Sequence, residues 1–242
     1  MRDLTKAERL LQAHQKILGE KGTLKVLELD VTSEESVGRA VREVVGVEGV
    51  VDVLVNNAGV ALAGYCESTS IEEIGRVFDV NFLGVVRMFR AVVPHMRNQK
   101  HGHIISISSV SAICASAGLG FYGASKSALE SLHQSEAPML ANWNIKLTLL
   151  QAGNIKTHDP HMVEKLMVGS RKTDSEADAV YDKHIRNKRE AYSNFIQLGL
   201  PVSEVSEQIF NIISGKIWKP VVQTTGEAEE LAKKYFVDRT WK

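Results

Sequence analysis

An α/β fold built on a doubly wound parallel sheet is what this sequence predicts, and three observations predict it. The apolar run at 51–55 (VDVLV) reads as a parallel strand buried on both faces, 101–108 (HGHIISIS) as another buried strand and 145–150 (IKLTLL) as a further strand. Helical patterns separate these runs over more than 100 residues, the alternation of a parallel sheet. Turn-forming residues follow two of the strands directly, as NNAG at 56–59 and as Gly153.

The elements follow in order. Residues 5–18 place Leu10, Leu11, Ile17 and Leu18 among helix-favouring polar residues, and Gly19 stops this surface helix. LKVLELDV at 24–31 alternates as a short strand ending at Asp30, after which Ser33 caps a helix to about Val45. The strand at 51–55, the NNAG turn and a polar turn at 68–70 lead into one long helix over 71–97, with Pro94 near its end. Phe78, Phe82 and Phe89 recur along that helix at roughly helical spacing and belong to the core. After the strand at 101–108, a helix is expected over 121–141, with a kink or early end at Pro138. The strand at 145–150 then closes at Gly153.

Beyond Gly153 the rhythm changes. Residues 158–200 show charged helical stretches and no convincing strand, and they sit where such folds place a substrate-covering lid. A solvated helical excursion accounts for them equally well. Pro201 and Ser203 open a helix through Ile213, and the tail from Lys219 is weakly patterned. No repeat or linker divides the chain, so residues 1–242 are expected to form a single domain.

Composition excludes several classes. Lysine plus arginine equals aspartate plus glutamate at 29 each, so no overall field recruits nucleic acid. Two cysteines, Cys66 and Cys114, are too few for a disulfide framework and suit a reducing compartment. No apolar run is long enough to span a bilayer, which makes a cytoplasmic protein the expectation and leaves peripheral membrane contact open. His101 and His103 flank a glycine before a strand and read as a turn, so no metal site is expected.

The chemistry concentrates at 109–126. On the expected helix Tyr122 and Lys126 stand at i and i+4, one turn apart on one face. An ammonium held close to a phenol favours the phenolate, so the pair can exchange a proton near neutral pH. Alone, the Y-x-x-x-K spacing describes many surface helices. Three further signals fall in order around it: NNAG at a strand's end, Asn81 inside a helix where asparagine is a poor helix former, and Ser109 closing the strand before Tyr122.

NNAG, Asn81, Ser109 and the Tyr122-Gly-Ala-Ser-Lys126 block together resemble the short-chain dehydrogenase/reductase family, over nearly the whole chain. Within it, VDVLVNNAG, HIISISSV and FYGASKSALES look most like the branch of retinol dehydrogenase and estradiol 17β-dehydrogenase. The resemblance implies a Rossmann-type fold and hydride transfer between a nicotinamide cofactor and the carbonyl or alcohol of a lipophilic substrate, retinoid or steroid. It implies Tyr122 as proton donor or acceptor, and Ser109 as the hydrogen-bonding partner of the substrate oxygen. Lys126 would bind the nicotinamide ribose and lower the tyrosine's pKa, and Asn81 would hold the water of a proton relay.

For the cofactor, Asp30 and Val31 correspond to the pair that contacts adenine, and Asn57, Ala58 and Gly59 to the segment beside the dinucleotide. Val80 falls on the adenosine side and Thr157 near the nicotinamide amide. Arg2 corresponds to an arginine that meets the 2′-phosphate, which favours NADP over NAD. Ala152-Gly153 stands where the family has Pro-Gly. Ile113, Leu119 and 158–200 are expected to line an apolar substrate pocket.

The family's opening strand, T-G-x-x-x-G-x-G turn and following helix have no counterpart here. The expectation is therefore a Rossmann-type sheet lacking its first two strands and its glycine-rich turn. In that strand order the missing pair lies between 24–29 and 51–55. Either those two segments pair with each other, or a gap separates them. Three functional readings follow. They are a truncated dehydrogenase that is a homodimer when complete, a cofactor-deficient relative acting as a binding or dimerisation module, and an enzyme that uses the Tyr122 pair without a nucleotide.

Overall fold

The computed structural model describes residues 7–8, 11–12, 23–156 and 199–235. Of the helix expected over 5–18, the four described residues are helical, with Ala7 buried and Leu11 exposed. In chain order the elements are α1 (Glu34–Glu48), β1 (Val53–Asn56), α2 (Ile71–Phe78), a π-turn (Asp79–Leu83) and α3 (Gly84–Gln99). Then come β2 (Gly102–Ser109), α4 (Gly120–Leu140), β3 (Ile145–Ala152), β4 (Ile155–Lys156), β5 (Leu200–Pro201), α5 (Val202–Ile213), β6 (Val221–Gln223) and α6 (Gly226–Tyr235).

The main sheet has the order β1-β2-β3-β6, and every pairing is parallel. The pairing of β2 with β3 is the longest, running from Gly102 opposite Ile145 to Ser109 opposite Ala152. Helices cover both faces, as parallel strands require. On one face α1, α3 and α4 bring Val41, Phe89, Val92, Met96 and Leu129 against Ile104, Ile145, Leu147 and Leu149. On the other, Val205 and Ile212 of α5 pack on Ile105, Leu150 and Val222.

The strand expected at 24–31 does not form. Residues 23–30 are non-regular, and Asp30 instead starts a turn in which its Oδ1 accepts from Thr32 N and Thr32 Oγ1 at 3.0 and 2.7 Å. A strand needs a hydrogen-bonded neighbour. Among the described residues nothing pairs with the outer edge of β1, and 24–29 does not pair with 51–55. Leu29 and Val31 on one side and residues 54–58 on the other line an open groove beside β1.

The single helix expected over 71–97 is interrupted. Ser70 starts α2 with a capping box to Glu73, but from Asp79 the chain widens into the π-turn, in which Gly84 N donates to Asp79 O. The helix at Tyr122 forms with nearly the expected bounds. The early end expected at Pro138 does not occur: the proline lies inside the helix, which runs on to Leu140 before the chain tightens into a 3-10 turn at Ala141–Trp143.

Four elements were illegible in the sequence: β6, α6, and the two strands of the small parallel pair, β4 and β5. The last corrects the strandless reading of 158–200 at its final residue, since Leu200 pairs with Ile155. The rest of the expected lid lies outside the described residues, apart from Gly199. His103 is buried against Thr148 Oγ1 at 2.9 Å, whereas His101 is exposed and meets Asp52 at 3.0 Å. Among the described residues no helix is long and apolar enough to cross a membrane.

His133 of α4 makes the core sensitive to acid. Its ring is buried against Phe89, its Nε2 meets Ser106 Oγ at 2.7 Å, and its Nδ1 has no partner. Burial pushes its pKa from 6.5 down to about 4. The unfolded chain therefore takes up a proton near 6.5 that the folded chain refuses until about 4, so stability is lost as pH falls through that window. Between pH 7 and pH 5 this group should cost about 2 kcal/mol. We expect His133→Gln, which keeps a polar group near Ser106 and cannot titrate, to lose less stability than the wild type by that amount, read as urea unfolding at the two pH values.

Candidate active site

The carboxyl ends of β1, β2 and β3 lie on one edge of the sheet, where open parallel sheets bind ligands. Asn56 ends β1 buried, its Nδ2 donating to Ser106 Oγ at 3.0 Å, and the next residues are exposed. The π-turn holds this exposed segment. Asn81, fully buried, accepts from Val60 N at Oδ1 (2.8 Å) and donates from Nδ2 to Val60 O (2.8 Å) and Ser125 Oγ (2.9 Å). Every polar atom of its side chain is thereby engaged. The asparagine that is a poor choice for a helix is the right choice for a clamp between the segment after β1 and α4.

Helix α4 supplies the rest. Lys126 is 5% exposed, and its Nζ donates to Ile107 O at 2.7 Å. Burial lowers its pKa from 10.5 to about 8, with Glu130 one turn on acting in the opposite direction. The ammonium lies 5.9 Å from the ring centre of half-buried Tyr122. Ser109 ends β2 two residues after the carbonyl that Lys126 grips, and its Oγ accepts from Ser111 N at 3.1 Å. The loop from Ser111 lies directly on α4: Ser127 Oγ donates to Ala112 O at 2.8 Å. The structure thus joins Asn81 to α4 through Ser125, and places Lys126 beside Tyr122 and next to the end of β2 that carries Ser109. An added Cβ at Gly59 would stand 3.5 Å from Asn81 Oδ1 and 3.6 Å from Lys126 Nζ, which puts Gly59 at the same cluster.

Four of the residues expected at the cofactor meet at the groove beside β1. Val31, Asn57, Ala58 and Val80 all line it, together with Leu29, Leu54 and Gly84. Asp30 adjoins it, with its backbone N donating to Ser36 Oγ at 3.0 Å. Arg87 fixes the groove's far wall, donating to Val31 O at 3.1 Å and to Asp79 Oδ1 at 2.7 Å. Gly84 is needed there, because a Cβ would approach Val31 Cγ2 to 2.9 Å. Arg2 and Thr157 lie outside the described residues. Ile113 is half-buried and Leu119 buried, both on the loop that α4 follows.

Sequence reasoning missed Gly123, Ser125 and Glu130. Ser125 and Glu130 are legible only through helical spacing, standing three and eight residues after Tyr122. For Gly123 the signal is a residue without a Cβ in the first turn of a helix that must touch a loop. Gly153, where the family's Pro-Gly would end, donates from its N to Thr224 Oγ1 at 2.9 Å, and a Cβ there would meet Thr225 Oγ1 at 2.6 Å.

With this geometry in place, comparison with known proteins is direct. A family model described as short chain dehydrogenase matches residues 4–165. Over 157 residues the chain is 43% identical to retinol dehydrogenase 8 of Homo sapiens, covering 65% of this chain and 49% of that protein. It is 34% identical over 200 residues to 17-beta-hydroxysteroid dehydrogenase type 1 of Mus musculus, covering 80% and 56% of the two chains. The chain spans about half the length of the curated relatives it matches. A short chain dehydrogenase/reductase from Burkholderia phymatum in complex with NAD superimposes with a TM-score of 0.77 at 22% identity, over 96% of this chain and 80% of that one. A gluconate 5-dehydrogenase from Burkholderia cenocepacia in complex with NADP and tartrate gives 0.61 at 25% identity, over 76% and 68%.

Gly123 tests how tightly the site is assembled. An added Cβ would sit 2.6 Å from Ser111 O and 2.8 Å from Ala115 Cβ, so the loop carrying Ser111 would have to leave α4. Gly123→Ala should destabilise the protein by about 1–3 kcal/mol in urea unfolding. Alanine at the exposed neighbouring position 120, where a Cβ meets nothing within 4 Å, should cost far less.

Proposed function

The chain belongs to the short-chain dehydrogenase family, and from that premise we propose that it transfers a hydride between NADP(H) and the carbonyl or alcohol carbon of a small lipophilic substrate, a retinoid or a steroid. The observation that carries this reading is Lys126: a dry ammonium beside Tyr122, bonded to a carbonyl two residues before Ser109. Relatives that align with much of the chain are named for retinol and 17-beta-hydroxysteroids.

The residues present fit the two ends of a dinucleotide. The groove of Val31, Asn57, Ala58 and Val80, with Asp30 at its rim, is apolar enough for an adenine ring and open enough to admit one. At the other end, the exposed backbone around Gly59 lies beside Asn81 and Lys126, where a flat ring can approach closely. Between them the described residues offer no glycine-rich helix start for the pyrophosphate. The choice of NADP over NAD rests on Arg2.

Bound there, the nicotinamide supplies the hydride acceptor or donor. The protein's own part is to hold the substrate oxygen and move one proton. In the reducing direction Ser109 Oγ donates a hydrogen bond to the carbonyl oxygen, and the Tyr122 phenol gives its proton to that oxygen as the alcohol forms. Lys126 stabilises the phenolate left behind and holds the nicotinamide ribose. Asn81 spends its side chain on Val60 and Ser125, so the relay water falls to its main chain. In the complete protein, residues 158–200 would cover the substrate and the single domain would pair as a homodimer.

The test is spectrophotometric. The purified protein is mixed with NADPH and a detergent-dispersed retinal or steroid ketone, and loss of reduced nicotinamide is followed. Tyr122→Phe should lower kcat by about 10²–10⁴. Turnover that survives this substitution would remove Tyr122 from the chemistry. Arg2→Ala should selectively weaken NADPH relative to NADH, and an unchanged ratio would assign the 2′-phosphate to another group.

A further inference from the structure

One buried titratable group takes no part in the chemistry above. Glu130 stands one turn beyond Lys126 on α4, so Tyr122, Lys126 and Glu130 form an i, i+4, i+8 stripe along one helix. Its side chain is 4% exposed in the layer between α4 and the sheet. Ser108 Oγ donates to Oε1 at 2.6 Å, and Gln151 Nε2 donates to Oε1 and Oε2 at 2.9 and 3.0 Å. Each of these bonds is received by the carboxyl group. A length of 2.6 Å from a hydroxyl falls in the range of bonds to an ionised oxygen.

Gln151 is oriented for this role. Gln223 Nε2 donates to Gln151 Oε1 at 2.8 Å, which turns the amide nitrogen of Gln151 toward Glu130. Strands β2, β3 and β6 therefore each contribute one side chain to a chain of donors that ends on a single carboxylate.

A structural clasp between helix and sheet would explain these bonds, but not the choice of an acid. Neutral donors offset only part of the cost of burying a carboxylate, and a buried charge is stabilised chiefly by an opposite one. Lys126, 5% exposed and also buried, supplies it one turn away. Around Lys126 the other elements offer the Ile107 carbonyl from β2, Gly59 after β1 and Asn81 from the π-turn, none of which titrates. Tyr122 precedes it on α4. His133, farther along the helix, bonds Ser106 and stays neutral above about pH 4.

We propose that Glu130 is a positioning residue for the Tyr122 and Lys126 pair, its clamped carboxylate serving as the counter-ion that keeps Lys126 charged in the dry core. The inference rests on the hydride-transfer reading for its functional consequence. Without the carboxylate, Lys126 gives up its proton at lower pH, the Tyr122 phenolate loses its stabilising charge, and the alkaline limb of the activity profile moves down.

The test reads Lys126 directly, without cofactor or substrate. In protein labelled with [13C]lysine, the ε-carbon shift of Lys126, assigned with Lys126→Met, is followed by NMR against pH. The wild type should titrate near 8, and Glu130→Gln should lower that midpoint by about one pH unit or more. Ser108→Ala removes a donor and leaves the carboxylate, so it should not lower the midpoint. Equal lowering by both variants would indicate a clasp and overturn the proposal, as would no change with Glu130→Gln. Should Glu130→Gln fail to fold, the wild type labelled with [13C]glutamate decides: the Glu130 carboxyl must be ionised at pH 7, and a protonated one refutes the assignment. Because no turnover is measured, failure here leaves Tyr122 untouched, and failure of Tyr122→Phe to lower turnover leaves the Lys126 titration standing.

Discussion

The bond from Lys126 Nζ to the Ile107 carbonyl is the contact on which the site depends. A lysine buried to this degree must find partners inside the protein, because water no longer solvates its charge. By taking one from β2, it fixes α4 against the strand at the end where the chemistry lies. The neighbouring residues of β2 then fall into place, with Ser108 facing Glu130 and Ser109 closing the strand. Tyr122, one turn before Lys126 on the helix, inherits its position from the same bond.

The layer between α4 and the sheet is unusually polar for a core. Ser106, Ser108 and Gln151 are buried on the strands, and Lys126, Glu130 and His133 on the helix. Such groups are tolerated only when bonded, and apart from His133 Nδ1 they are. Their bonding is also specific. Leucine packing would let the helix slide along the sheet at small cost, whereas a hydroxyl against a carboxylate and an ammonium against a carbonyl fix one register. The apolar packing of α3, through Phe89, Val92 and Met96, lies farther along the same face and supplies much of the burial.

What could be read in the sequence divides along physical lines. β2 and β3 were legible because isoleucines and leucines concentrate in them between helical stretches, and α4 because its alanines, leucines and lysine favour a helix. The short β6 was not, since a strand of three residues has too little pattern to separate from a loop. The segment at 24–31 carries a genuine strand pattern and still makes no strand, because pairing is decided by a neighbour that local sequence does not encode. Asn81 was recognised as out of place in a helix, but the widened turn that accommodates it depends on Val60 and Ser125, residues 21 and 44 positions away. Val31, Asn57, Ala58 and Val80 do meet at one groove, while Gly123 and Glu130 needed the fold to become visible.

The π-turn has an evolutionary implication. Its i to i+5 bond, from Gly84 N to Asp79 O, accommodates one residue more than an α-helical turn. A deletion anywhere in 79–83 would therefore give a more regular helix. It would also rotate everything on one side of the deletion by about 100° relative to the other, from 3.6 residues per turn. Either Asn81 would lose Val60 and Ser125, or Arg87, Met88 and Phe89 would turn away from the groove and core. The less regular helix is thus the form that keeps both halves on their separate partners.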